Sequence, residues 1–139
     1  MSKALVVFNS KHGTTKKFSE NLASYINQKG IDTEIVSVSD FTSEMINNKD
    51  YILLGAWTHG LMIFLQHPDK PFVRFAKTAP VMTGKKVGFF TTYKVATGSL
   101  FKKMRANLLG KIDDVMFELK SKNGELNDEH KVTLDKLIN

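Results

Sequence analysis

Short apolar runs alternate with helical patterns along the chain. Runs rich in Val, Ile, Phe and Leu predict strands at residues 4–8, 33–39, 51–57, 86–92 and 115–119. Apolar residues at helical spacing predict helices over Phe18 to Ile26, Phe72 to Ala76, Leu100 to Leu108 and Val132 to Ile138. A weaker helical pattern lies near residues 43–48, Gly30 is expected to end the first helix, and Asn127 or Asp128 is expected to cap the last.

Strand–helix alternation of this kind favours a parallel sheet with helices on both faces, which is an α/β fold. The chain has 139 residues, of which 42% are apolar, and this suits one domain spanning residues 1–139. Ligands of such sheets bind at the carboxyl ends of the strands. The informative segments are therefore those after the first, third and fourth strands, at residues 9–15, 56–60 and 91–98.

The charge and the cysteine content restrict which classes of function the chain can have. The chain has no cysteine, which excludes disulfides, thiolate nucleophiles and cysteine zinc sites. Its net charge is +6, and the stretch from Lys70 to Lys111 holds ten Lys or Arg and no Asp or Glu. This stretch is either a solvated basic surface or a face that attracts an acidic partner or an anionic ligand. No apolar run has membrane-spanning length and no signal peptide is evident, so we expect a cytoplasmic protein.

The loop after the first strand has the composition of an anion site. Gly13 can adopt backbone angles that let consecutive N–H groups converge, and the following helix adds its unpaired amides. The hydroxyls of Ser10, Thr14 and Thr15 are further donors. The alternative is that Thr14 only caps the helix after a turn.

Other phosphate-binding and catalytic motifs are absent. No segment reads GxxxxGK[ST], GxGxxG or GxSxG. A phospho-receiver domain would need an Asp after the third strand, where this chain has Ala56 and Trp57. The histidines offer no close pair for zinc.

Three segments carry a resemblance to a known family. The run Ser10–Thr15 is similar to the S/T-x-T-G-x-T loop that holds the FMN phosphate in flavodoxins. Gly55–Gly60 is similar to the loop that packs on one face of the flavin, and Thr91–Tyr93 lies where the third flavin loop begins. The chain thus resembles the flavodoxin family. The resemblance implies a three-layer flavodoxin-like sandwich whose five-stranded parallel sheet has the order 2-1-3-4-5.

The resemblance also implies FMN as cofactor and a set of binding residues. Those residues are Ser10, Lys11, His12, Gly13, Thr14, Thr15, Ala56, Trp57, Thr58, His59, Gly60, Thr91, Thr92, Tyr93 and Gly98. His12 replaces the usual Thr, and His59 stands where Trp, Tyr or Met is usual. Trp57 or Tyr93 are alternative stacking residues. Gly60 would let a peptide turn its carbonyl toward flavin N5–H.

The function implied is FMN-dependent electron transfer, with no catalytic residue assigned. The alternative is a flavodoxin-fold oxidoreductase of the quinone-reductase or protoporphyrinogen-oxidase type, in which the apolar run Leu61–Leu65 would line a substrate. That run could equally be core, a dimer contact or a weak membrane-docking patch. We expect an acidic redox partner protein or a partner reductase, and no nucleic acid, because the basic stretch carries no recognised motif.

Overall fold

The fold is built from alternating strands and helices. The computed structural model describes residues 2–10, 13–59, 67–94 and 97–137, apart from the side chains at positions 58, 59, 67 and 68. The main strands in these ranges are β1 (Lys3–Phe8), β2 (Asp32–Ser37), β3 (Tyr51–His59), β4 (Lys86–Thr92) and β5 (Val115–Ser121). The α-helices there are α1 (Thr14–Gln28), α2 (Lys70–Thr78), α3 (Leu100–Asn107) and α4 (Asp128–Leu137).

The five main strands pair in parallel in the order β2-β1-β3-β4-β5. This confirms the predicted fold class and strand order. A two-residue strand, His67–Pro68, adds an antiparallel pairing to the end of β3 that the sequence pattern did not predict. The weak helical pattern near residues 43–48 forms only a 3₁₀ turn, Ser43–Ile46.

Both faces of the sheet are buried, because successive side chains of a strand point to opposite sides. On one side Leu5 and Val7 of β1 join a core that includes residues of α2 and α3. On the other side Ala4 and Val6 join a core that includes residues of α1 and α4. The sheet therefore lies between two helical layers, as predicted.

Local sequence explains where the helices begin and end. Gly30 has φ +90°, and its N–H donates to the Asn27 carbonyl, which ends α1 where the sequence predicted. Asn127 Oδ1 accepts from the His130 N–H, while His130 Nδ1 accepts from the Asn127 N–H. Asn127 is therefore the cap of α4. None of the helices in the described ranges has the length and apolar character needed to cross a lipid bilayer.

Two strand glycines leave room for aromatic rings that lie across the sheet. A Cβ on Gly55 of β3 would come within 2.1 Å of the Phe90 ring on the neighbouring β4. A Cβ on Gly88 would come within 2.4 Å of Phe117 in the same way. Each ring occupies the volume that a side chain on the adjacent strand would need, so these glycines are required by packing.

We expect Gly55→Ala to lower the free energy of unfolding by about 1–3 kcal/mol, because the added methyl overpacks the Phe90 ring. Urea denaturation measures the loss. The double variant Gly55→Ala/Phe90→Leu should recover part of it relative to the two single changes. Strictly additive losses would show that the methyl does not meet Phe90.

Candidate functional site

The carboxyl ends of β1, β3 and β4 come together at one edge of the sheet, which we call the carboxyl edge. The strand order changes direction between β1 and β3, so this edge is the switch point at which ligands of such folds bind. The Asn9 N–H donates to the Gly55 carbonyl at 3.1 Å and holds the loop after β1 against β3.

The loop after β1 turns into α1 at Gly13. Gly13 has φ +86° and is exposed, and among the described residues no heavy atom outside Gly13 and its chain neighbours lies within 4 Å of the position a Cβ would take. Its N–H donates to Ser10 Oγ at 3.0 Å. The first turn of α1 contains no acidic residue, so its amides face outward without a competing carboxylate. The described residues thus place the positive end of the α1 dipole at an exposed turn.

Thr15 is joined to Thr92 inside the protein. The two hydroxyl oxygens lie 2.5 Å apart, and the residues are only 1% and 5% exposed. The bond links the start of α1 to the end of β4. Because a hydroxyl both donates and accepts, only one of the two hydrogens is used between the pair. The other hydrogen remains for a third group.

The site residues predicted on β3 and β4 lie at or just below the carboxyl edge. Ala56 and Thr91 are fully buried, and Thr91 Oγ1 donates to the Ala56 carbonyl at 2.5 Å. The Trp57 side chain is partly exposed. The backbone of Thr58 and His59 pairs with the short strand His67–Pro68. The side chains of Thr58 and His59 lie outside the described residues, as do Lys11, His12, Gly60 and the apolar run Leu61–Leu65.

Tyr93 and Gly98 belong to the loop after β4. The Tyr93 N–H donates to the Ser121 carbonyl at 3.2 Å, and its ring is partly exposed. Lys120 Nζ and Lys122 Nζ lie 5.8 and 5.7 Å from the ring centroid. Gly98 is exposed with φ +53°.

Asp69 is the residue at this edge that the sequence analysis missed. It is 1% exposed, and Oδ1 accepts from Asn9 Nδ2 at 2.9 Å and from the Phe72 N–H at 2.8 Å. Oδ2 accepts from the Trp57 N–H at 3.1 Å. One carboxyl group therefore joins the loop after β1, the end of β3 and the start of α2. An Asp before a helix with Pro in its first turn could have identified the cap, but not the two longer-range bonds.

Burial raises the pKa of Asp69 above its ordinary value, because a carboxylate loses hydration in the interior. The hydrogen bonds from Phe72, Trp57 and Asn9 act in the opposite direction and only partly offset it. Ionisation of Asp69 is therefore less favourable in the folded protein than in water, even though the hydrogen bonds that order the carboxyl edge stabilise the carboxylate.

The loop after β5 also reaches this edge. A Cβ on Gly124 would lie 2.8 Å from the Thr14 carbonyl oxygen, so the loop backbone packs directly on the start of α1. Asn21 Nδ2 donates to the Gly124 carbonyl at 2.8 Å. The sequence pattern indicated only the loops after β1, β3 and β4 as parts of the site.

A separate groove of about 340 Å³ lies elsewhere and is not part of this site. It is lined by residues at the end of α3 and the start of β5, including Arg105, Leu109 and Asp114. Those ends lie at the opposite, amino edge of the sheet. Among the described residues, no group of three or more His, Asp or Glu is arranged to hold a metal ion.

A doubly wound sheet with a glycine turn and an acid-free helix start at its switch point is typical of proteins that bind phosphate-bearing cofactors. Residues 5–138 match the family model described as a flavodoxin domain. The chain belongs to the flavodoxin family, whose members are FMN-binding electron-transfer proteins.

Individual relatives agree with this family. The chain is 28% identical over 105 residues to a flavodoxin of Clostridium beijerinckii, covering 76% of this chain and 75% of that one. The crystal structure of oxidised flavodoxin 1 from Bacillus cereus superposes with a TM-score of 0.73 at 22% identity, over 97% of this chain and 94% of that chain. The solution structure of two-electron reduced Megasphaera elsdenii flavodoxin gives 0.70 at 23% identity, over 91% and 89%. These comparisons do not favour the alternative of a flavodoxin-fold enzyme.

We expect Thr15→Val and Thr92→Val each to lower the free energy of unfolding by about 1–3 kcal/mol, because each leaves one buried hydroxyl without its partner. The double variant should be close to the wild type, since both polar groups are then gone. Urea denaturation of the four proteins gives the coupling energy. Simple additivity would show that the pair is not formed.

We expect Asp69→Asn to change how stability depends on pH. A folded-state pKa above the unfolded value means that the contribution of Asp69 is present below the unfolded pKa and is lost as pH rises through the folded pKa. The stability difference, wild type minus variant, should therefore fall as pH rises above about 4. Urea denaturation at several pH values measures it.

Asp32→Asn, on the exposed side of β2, is the matched control for removing one negative charge. A wild-type advantage over Asp69→Asn that grows with pH would mean that the hydrogen bonds outweigh burial.

Proposed function

We propose that residues 1–139 act as one flavodoxin domain that holds FMN at the carboxyl edge and exchanges its electrons with a partner protein. The phosphate would lie at the loop after β1, and the ring between the loops after β3 and β4. The proposed contact residues are Ser10, Lys11, His12, Gly13, Thr14, Thr15, Ala56, Trp57, Thr58, His59, Gly60, Thr91, Thr92, Tyr93 and Gly98. The single observation that carries the proposal is the open turn at Gly13.

The residues at this turn fit a phosphate group. The left-handed conformation and the exposure of Gly13 would let an anion approach the backbone. The amides of the first turn of α1 supply donors and the positive end of the helix dipole. Ser10 Oγ, which accepts from the Gly13 N–H, keeps its own hydrogen for a phosphate oxygen. Thr14 sits on the same turn, partly exposed.

Bound FMN supplies the redox chemistry, since it accepts and releases electrons one or two at a time. The chain itself has three tasks, which are to bind the phosphate, to orient the ring and to limit the access of water. Thr15 and Thr92 support both regions at once, because their bond joins the phosphate loop to the ring loop. The side chains of Ala56 and Thr91 are buried, so these two residues would contact the cofactor through their backbone atoms.

We further propose that the partner is an acidic redox protein or a partner reductase, and that the protein works in the cytoplasm. The net charge of +6 and the acid-free stretch from Lys70 to Lys111 support an acidic partner. Flavodoxins pass electrons to other proteins, and this agrees with a site at an open edge of the sheet.

FMN titration tests the proposal. Addition of FMN to the purified protein should quench FMN fluorescence with a saturable one-to-one stoichiometry. Ser10→Ala should weaken binding by about threefold to tenfold, which corresponds to one lost hydrogen bond. Ser24→Ala, an exposed serine further along α1, is the matched control and should bind as the wild type does. No uptake by the wild type would refute FMN binding, and an unchanged Ser10→Ala affinity would refute the assigned loop.

A further inference from the structure

Tyr93 lies at the centre of a group of lysines at the carboxyl edge. Lys120 and Lys122 place Nζ 5.8 and 5.7 Å from the ring centroid, within the range of cation–π contacts. Both are exposed, and so is Lys94, the residue that follows Tyr93. We call Tyr93, Lys94, Lys120 and Lys122 the Tyr93 cluster. It combines a partly buried aromatic ring with three exposed cations.

The positive charge of the Tyr93 cluster is not neutralised by nearby carboxylates. In the described ranges, no carboxylate oxygen lies within 4.0 Å of the ammonium groups of Lys94, Lys120 or Lys122. Two acidic residues, one in β5 and one in the loop after it, have other partners. Glu118 binds Arg105 at 2.5 Å, and Glu125 binds Lys17 at 3.4 Å. The like charges of these lysines would therefore attract a complementary negative surface.

The surroundings of the cluster are basic as well. The helices α2 and α3 begin at the same edge and have no acidic residue in the first turn, and the acidic cap of α2, Asp69, is buried. Exposed Lys70 and Lys102 lie at these starts instead. By contrast α4, which also begins at this edge, has Asp128 and Glu129 in its first turn. Positive charge thus prevails at the starts of α2 and α3, whereas the start of α4, whose His130 Nε2 lies 2.9 Å from the Lys120 carbonyl oxygen, also carries negative charge.

We propose that the Tyr93 cluster is the docking surface for an acidic electron-transfer protein. The inference rests on the proposed function, because such a partner must approach the edge that holds the cofactor. Tyrosine is enriched in protein interfaces, and the rim around their core is polar, so the Tyr93 ring could pack on a partner while the lysines face its acidic groups. Uncompensated charge around it speeds the encounter with a partner of opposite sign and places that partner at the edge.

The test uses the FMN-loaded protein and a reduced, acidic plant-type [2Fe–2S] ferredoxin as the electron donor. Stopped-flow absorbance at low ionic strength gives the second-order rate of flavin reduction. Lys120→Gln/Lys122→Gln should slow this reaction by about tenfold. Lys77→Gln/Lys136→Gln, which removes the same charge from exposed lysines near the ends of α2 and α4, is the matched control and should change the rate less than twofold.

Two further readouts separate docking from a structural effect. The rate difference should disappear in about 0.5 M salt, because screening shortens the range of the attraction. Electron transfer from the reduced variant to basic cytochrome c should become faster than in the wild type. The single variants Lys94→Gln and Lys122→Gln, each with an expected slowing of about threefold, replace the double variant if that one fails to fold.

Equal rates for the cluster variant and the control variant would overturn the proposal. That result differs from a failure of the proposed function. If FMN were not taken up at all, no flavin absorbance would appear in any of the proteins. If FMN is bound and reduced at equal rates in all variants, the cofactor assignment stands and the docking surface is refuted.

Discussion

The buried carboxyl group of Asp69 is the contact on which the carboxyl edge depends. It receives hydrogen bonds from Asn9, Trp57 and Phe72, which belong to three separate elements. A neutral side chain with one acceptor could not satisfy all three donors, and a buried N–H without a partner costs about 1–3 kcal/mol. Burial of the charge is itself unfavourable, so the protein exchanges some stability for a fixed edge.

The Thr15–Thr92 hydrogen bond fixes the segments on the other side of the carboxyl edge. Asp69 fixes β1, β3 and α2, while the threonine pair fixes α1 against β4. Every segment proposed to touch FMN is therefore adjacent to a strand end that is held by a buried polar contact. Such support is what a cofactor site requires, since loops alone would leave its donors poorly oriented. The basic surface lies outside this framework and could change without disturbing it.

The fold was predictable from sequence, whereas the polar contacts at the candidate site were not. The run KVGFFTT predicted β4 with its observed bounds, because a short run of apolar β-branched and aromatic residues is typical of a strand buried on both faces. Residues 43–48 lacked such a signal and form only a 3₁₀ turn. The bond between Thr15 and Thr92 was not predicted, because a hydroxyl pattern cannot reveal a partner 77 positions away. Asp69 was missed for the same reason.

The contact between Gly55 and Phe90 constrains which residues can replace them in homologous proteins. Because the Phe90 ring fills the space that a side chain at position 55 would need, substitutions at these two positions depend on each other. A homologue with a larger residue at the first position must carry a smaller one at the second. Covariation between strands β3 and β4 is therefore expected, and a chimera that exchanged only one of them would inherit either a clash or a void.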